Sequence, residues 1–301
     1  IKNLKVSQFV RIDDIKISPL TDVSELEPLL KRIGRSDDSI KEVLEGRGMI
    51  DYAYAETTVD ARSDEEAISK ATRSATELFL LLRFCLVIGT GYLFHRGSNW
   101  SPYIDTEVLP TLIPRTSNQT IRTARLPGFT TKPELLVEID KEVCELPVFK
   151  AGLLSRSISR ESGKLYASDV YQAILWASRS HDETDSNTRL IFLVAALEAV
   201  IPAESKSEIV FRVAILSALL LKKSGRDPSE TFEKVKRGYD LRSRLVHGLN
   251  VTVPQVVVDQ LSHIVEDIIK LQLESNDVER LLRSKPEDYH RELQARLWAE
   301  S

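Results

Sequence analysis

The sequence predicts an α+β chain, with a mixed α/β N-terminal region over residues 1–160 followed by an all-α helical bundle over residues 161–301. Three observations carry this. Short segments with strand alternation occur only in the first half. Prolines at 102, 110, 114, 127, 133 and 147 break the middle into short pieces. From Leu165 onward, apolar residues recur at helical spacing between recognisable caps.

In order along the chain, "KVSQFVRIDDIKI" is rich in β-branched residues and alternates loosely, as a strand does. "SELEPLLKRI" reads as a short helix capped by Ser24. "MIDYAYAETTVDA" alternates as a second strand. Ser63 then opens an N-cap signature, with Asp64, Glu65 and Glu66 filling the first turn, where acids oppose the helix dipole. The apolar run from Leu78 to Phe94 is interrupted by Arg83, Gly89 and Gly91, so it predicts a buried helix and not a membrane span. "ELLVEID" is a further short apolar piece. "RSISRESGKL", Arg156 to Leu165, has the composition of a linker or exposed loop.

The bundle follows. "YASDVYQAILWASRS" and "DSNTRLIFLVAALEAVI" predict two helices, the second ending before Pro202. "SKSEIVFRVAILSALLLKKSG" predicts a third, stopped at Gly225. "DPSETFEKVKRGYDLRSRLVHG" has Asp227 as N-cap, Pro228 at the first helical position and Gly248 as C-terminal stop. "TVPQVVVDQLSHIVEDIIKLQLES" gives a fifth, and residues from Asp277 to Trp298 a last amphipathic one suited to a partner.

The charge is −4, with 29% charged residues and 42% hydrophobic ones. That balance suits a soluble protein with a real core and argues against a broadly basic nucleic-acid coat, though a local basic cleft is compatible with it. The N-terminal residues lack a signal-peptide pattern. Two cysteines, Cys85 and Cys144, imply neither a disulfide framework nor a zinc cluster, so a reducing, cytoplasmic setting is expected. No cofactor and no metal are implied. His181 with Asp182, Glu183 and Asp185 reads as a helix junction full of caps. His263 with Glu266 and Asp267 reads as a solvated face. His95 beside Trp100 reads as a loop near a buried tryptophan.

The informative stretch is "YDLRSRLVHG", residues 239–248. The apolar stripe of its helix runs Phe232, Val235, Tyr239, Arg242, Val246, in steps of three and four, so Arg242 occupies a core-facing position. A guanidinium there needs a carboxylate or a polar cleft. Glu198, inside the apolar run of another helix, is the candidate acid, which makes Arg242 either a buried ion pair or an anion ligand. His247 falls in the last turn, where a helix dipole alone can account for it. Arg244 shares an edge with His247, and Asp240 stands four residues before Arg244, the spacing of an ion pair. Arg242 and His247 are five residues apart, about 140° around a helix of 3.6 residues per turn.

With the upstream "ALEAVIP" and "SEIVFRVAILSALLL", this stretch resembles the HEPN superfamily, in particular its ApeA-like branch, over about residues 165–301. The superfamily motif is an arginine, four to six residues, and a histidine, matched here by Arg242 and His247. The resemblance implies a metal-independent endoribonuclease working as a homodimer on RNA, with a role in bacterial anti-phage defence or as a toxin. It casts His247 as general acid or base and Arg242 as the group that stabilises charge on the reacting phosphate. The products would be a 2′,3′-cyclic phosphate and a 5′-hydroxyl. Ser243, next to the motif arginine, would touch substrate or the partner protomer. Tyr239, Asp240, Arg244 and Glu198 would support the site. The alternatives are a non-catalytic HEPN module that binds RNA, nucleotide or a partner protein, and a structural dimer in which Arg242 is only a buried ion pair.

Overall fold

A computed structural model of the chain describes residues 4–6, 10–12, 15–19, 53–57, 59–90, 137–139, 145–162, 170–201, 209–222, 224–249 and 251–275. The chain divides into two units, Ile1–Phe79 with Phe94–Cys144, and Leu80–Leu93 with Glu145–Ser301. The expected short helix at Ser24, the loop with His95 and Trp100, and the last helix lie outside the described residues.

The first unit contains five short strands. β1 (Leu4–Val6) pairs in parallel with β5 (Val137–Ile139), while β2 (Val10–Ile12), β3 (Ile15–Pro19) and β4 (Ala53–Thr57) form an antiparallel sheet in the order β2-β3-β4. Its helical part begins at α1 (Asp64–Thr90). The Glu66 N–H donates to Ser63 Oγ at 3.2 Å, and Glu66 Oε2 accepts from the Arg62 N–H at 2.8 Å, so the predicted cap is a reciprocal one.

The α+β expectation is corrected by the balance of elements. Each strand spans only three to five residues, whereas the helices run from 13 to 27 residues and take most of the described chain. The chain is a helical protein. Strand-like alternation in the first half indicated more sheet than forms, because segments this short bury little on either face.

The second unit is the helical one. It holds the end of α1 and six further helices: α2 (Pro147–Ser162), α3 (Val170–Asp182), α4 (Ser186–Val200), α5 (Ile209–Lys222), α6 (Pro228–Val246) and α7 (Gln255–Leu273). α3 and α4 pack along each other as a hairpin across a three-residue link, and α5 packs on α6. α7 touches α2, α3, α4, α5 and α6, so it is the central helix. Its Val257, Val258, Leu261, Ile264, Val265, Ile268 and Ile269 are buried. They face the Leu190, Leu193, Leu197 and Val200 side of α4, a packing in which each lost leucine side chain costs about 2–5 kcal/mol.

The stretch expected as a linker is instead the C-terminal half of α2. Arg156 within it is fully buried. Earlier on the same helix Gly152 meets Cys85 of α1, where an added Cβ would lie 2.7 Å from Sγ. Burial pushes the Cys85 thiol up to about 12, so no thiolate forms near neutral pH and the residue serves as packing. The Leu78–Phe94 run is helical through Thr90 with Leu78, Leu81 and Phe84 fully buried, as a core helix requires. Among the described residues, no helix is long and apolar enough to cross a membrane.

Candidate functional site

α6 is set up by local chemistry. Asp227 Oδ1 accepts from the Glu230 N–H at 2.7 Å, and Pro228 occupies the first turn. At the other end Gly248 adopts φ 73°, its N–H donates to the Leu245 carbonyl at 3.0 Å, and the Leu249 N–H donates to the Arg244 carbonyl at 3.0 Å. That pair of bonds is the Schellman closure. His247 is the C-cap, with φ −82° and ψ 11°, and its backbone N–H bonds back to Ser243. The glycine therefore fixes where the chain leaves the helix and holds the histidine at the exit.

The inward stripe of α6 is graded along its length. Val235 is 0% exposed, Tyr239 is 4% exposed, Arg242 is half-buried and Val246 is 59% exposed. Arg242 thus stands where the core face emerges into solvent, a position between the buried ion pair and the open cleft that the sequence allows. Gly238, one residue before Tyr239, lets α6 approach α7 and α4 closely: an added Cβ would lie 3.0 Å from Leu261 Cδ2.

Glu198 is half-buried on α4, which packs directly on α6. It does not close an ion pair with Arg242, whose Nε is buried without a hydrogen-bond partner among the described residues. The expected structural pairing is therefore not made. Both groups instead act on Tyr239. Burial pushes the Tyr239 hydroxyl well above the usual phenol range, the Glu198 charge pushes it further, and Arg242 opposes them. The hydroxyl leans toward the Glu198 carboxylate but closes no hydrogen bond of good geometry.

The remaining predicted residues lie elsewhere on α6. Ser243, Arg244 and His247 are exposed, as is Asp240, which lines a surface groove with Glu233, Lys236 and Arg237. The expected Asp240–Arg244 ion pair does not form, since two exposed side chains gain little by giving up their freedom. The His247 imidazole makes no hydrogen bond to another described residue. Within one chain, Arg242 belongs to the emerging core face and His247 to the solvent edge.

A second polar cluster was not legible in sequence. His181 Nε2 at the end of α3 lies 3.0 Å from Glu266 Oε1 on α7, and Ser262 Oγ donates to the same oxygen at 2.8 Å. Burial pushes the Glu266 carboxyl up. The hydrogen bond and charge of His181, the Ser262 bond and the His263 charge outweigh it, and hold the group below its usual value. Glu266 and Asp267, expected on a solvated face, are in fact half-buried, Asp267 in an ion pair with Arg226 from the α5–α6 turn. Serine, histidine and carboxylate are not wired for nucleophilic attack here. Ser262 gives its proton to Glu266, and both approach the same imidazole nitrogen, with Ser262 Oγ 3.4 Å from Nε2. At the α3–α4 junction Asp185 caps α4 by accepting from the Thr188 N–H at 2.9 Å. Among the described residues, no three His, Cys, Asp or Glu groups stand close enough to hold a metal ion.

No family model, curated protein or solved structure matched the chain in comparisons with known proteins.

Proposed function

We propose that the chain is a metal-independent endoribonuclease of the HEPN type, serving as a toxin or anti-phage effector in the cytoplasm. The observation that carries this reading is Arg242, a guanidinium half-buried at the mouth of the bundle with no carboxylate closed upon it among the described residues. Such a group is already partly dehydrated and keeps its donors for an anion, and its fork matches two phosphate oxygens. His247, exposed at the helix exit, supplies an imidazole that titrates near neutrality and can take or give a proton. His247 would deprotonate the RNA 2′-hydroxyl or protonate the leaving 5′-oxygen. Arg242 would hold the charge that builds on the phosphate. The chain would leave a 2′,3′-cyclic phosphate and a 5′-hydroxyl, with no metal in the step.

The two residues lie on different edges of α6, so one chain does not aim both at the same atom. A homodimer would answer this by setting each histidine near the other protomer's arginine. Val246, Leu249 and Val256, each more than half exposed around the α6–α7 turn, offer apolar surface for it. The same divergence favours the second reading, a non-catalytic HEPN module, if the chain is monomeric. The deciding experiment is RNA cleavage in EDTA by wild type, Arg242→Ala and His247→Ala, with mass measured in solution. Cleavage lost in both variants of a dimer supports the nuclease. Cleavage retained in both removes it.

A further inference from the structure

Arg242, Glu198 and Tyr239 meet where α6 packs on α4. A carboxylate and a guanidinium that share a partly dry site ordinarily close on each other, because their geometries match and water competes weakly there. Here they stay more than 4.0 Å apart. The group close to both is the phenol of Tyr239, which is 4% exposed and so has little freedom to move aside.

We propose that Tyr239 is a positioning residue that keeps the Glu198 carboxylate off Arg242 and so leaves the guanidinium open to a phosphate group. Its importance for catalysis rests on the nuclease reading above; the spacing itself does not. The phenol is suited to the task in two ways. Its ring is fixed by core packing, in line with Val235 on the inner stripe. Its hydroxyl, which burial and then the Glu198 charge keep protonated, is a donor directed toward the carboxylate and gives Glu198 an alternative to the arginine. Removing that oxygen alone leaves Glu198 with Arg242 as its nearest strong donor. The ion pair then closes and occupies the arginine.

The test is the reactivity of Arg242 toward phenylglyoxal in the full chain, followed by peptide mass spectrometry. Tyr239→Phe is expected to slow modification at Arg242 about tenfold, the factor of one charge-assisted hydrogen bond. Adding Glu198→Gln to that variant is expected to restore the rate. A lost packing contact would not be rescued this way. Unchanged reactivity in Tyr239→Phe, or slowing that Glu198→Gln does not relieve, overturns the proposal. Should Tyr239→Phe fail to fold, Glu198→Gln alone decides. Reactivity within about twofold of wild type supports the spacing, and a rise of about tenfold shows that Glu198 already holds Arg242 and overturns it. RNA cleavage by the same variants keeps the two ideas apart. If wild type cuts no RNA while the modification pattern holds, the nuclease reading falls and the spacing role stands.

Discussion

His181 Nε2 and Glu266 Oε1 lie 3.0 Å apart, joining the end of α3 to the middle of the central helix. Both side chains are less than a fifth exposed, so the pair is screened far less than a surface one. Because the Glu266 carboxyl is held below its usual value in the folded chain, its stabilisation is present above the unfolded carboxyl value and lost as pH falls through the folded one. Glu266→Gln is therefore expected to cost about 1–3 kcal/mol at neutral pH. The deficit should shrink between about pH 5 and pH 3, around the ordinary glutamate value. Urea midpoints of both proteins across that range measure it. A deficit that stays constant with pH would assign the loss to packing.

The contact between Gly152 and Cys85 makes a second prediction about the same unit. A methyl group at 152 would fall 2.7 Å from Sγ and 3.1 Å from Leu81 Cδ1, and Cys85 is buried with nowhere to turn. Gly152→Ala should destabilise by about 1–3 kcal/mol despite alanine's better helix propensity. Cys85→Ala removes the obstructing sulfur, so the double variant should recover at least about 1 kcal/mol relative to the sum of the two single changes. Strict additivity in thermal or urea unfolding would contradict the contact.

These two sites also show why parts of the fold could be read in sequence and parts could not. The start and end of α6 were legible because Asp227, Pro228 and Gly248 act on their own neighbours, and such caps depend on local spacing. Arg242 was legible as a break in a periodic stripe, and the gradient from Val235 to Val246 explains what the break meant. His181 and Glu266 are 85 residues apart, and no local pattern announces a pair made across a bundle. α2 was hidden for a different reason. Its buried positions include Ala151, Gly152, Ser155 and Arg156, so its inner face looks like loop composition although Val148 and Ile158 keep helical spacing. The expected Asp240–Arg244 pair failed because spacing makes such a contact possible without making it favourable in water.

Arg242 separates the structural and functional readings through stability. With its Nε unpartnered and no carboxylate closed on it among the described residues, little folding energy depends on its charge. Arg242→Ala is expected to shift stability by about 1 kcal/mol or less, mostly from lost packing of the aliphatic stem. On the nuclease reading, RNA cleavage should fall by roughly 10²–10³-fold, the cost of removing one preorganised donor to a developing charge. Urea unfolding and single-turnover cleavage on the same preparations give both numbers. A loss of about 3 kcal/mol or more would instead mark a buried structural pair broken.

Gly248 ties the position of His247 to the backbone. At φ 73° the residue sits in the left-handed region, where a side chain is strained even though open space surrounds the position. Gly248→Ala should cost about 1–2 kcal/mol, and Gly248→Asn less, since asparagine tolerates this conformation better. The strain acts on the two bonds that close α6, from Gly248 to Leu245 and from Leu249 to Arg244, so the last turn should fray first. His247 is the cap of that turn, whereas Arg242 lies more than a turn earlier on the part of α6 held against the core. If His247 moves protons in RNA cleavage, Gly248→Ala should lower kcat with little change in KM, and Gly248→Asn should recover part of it. Amide exchange at Leu245 to Leu249 would locate the fraying. A variant that frays there yet keeps its full cleavage rate would remove His247 from the chemistry while leaving Arg242 as an anion ligand.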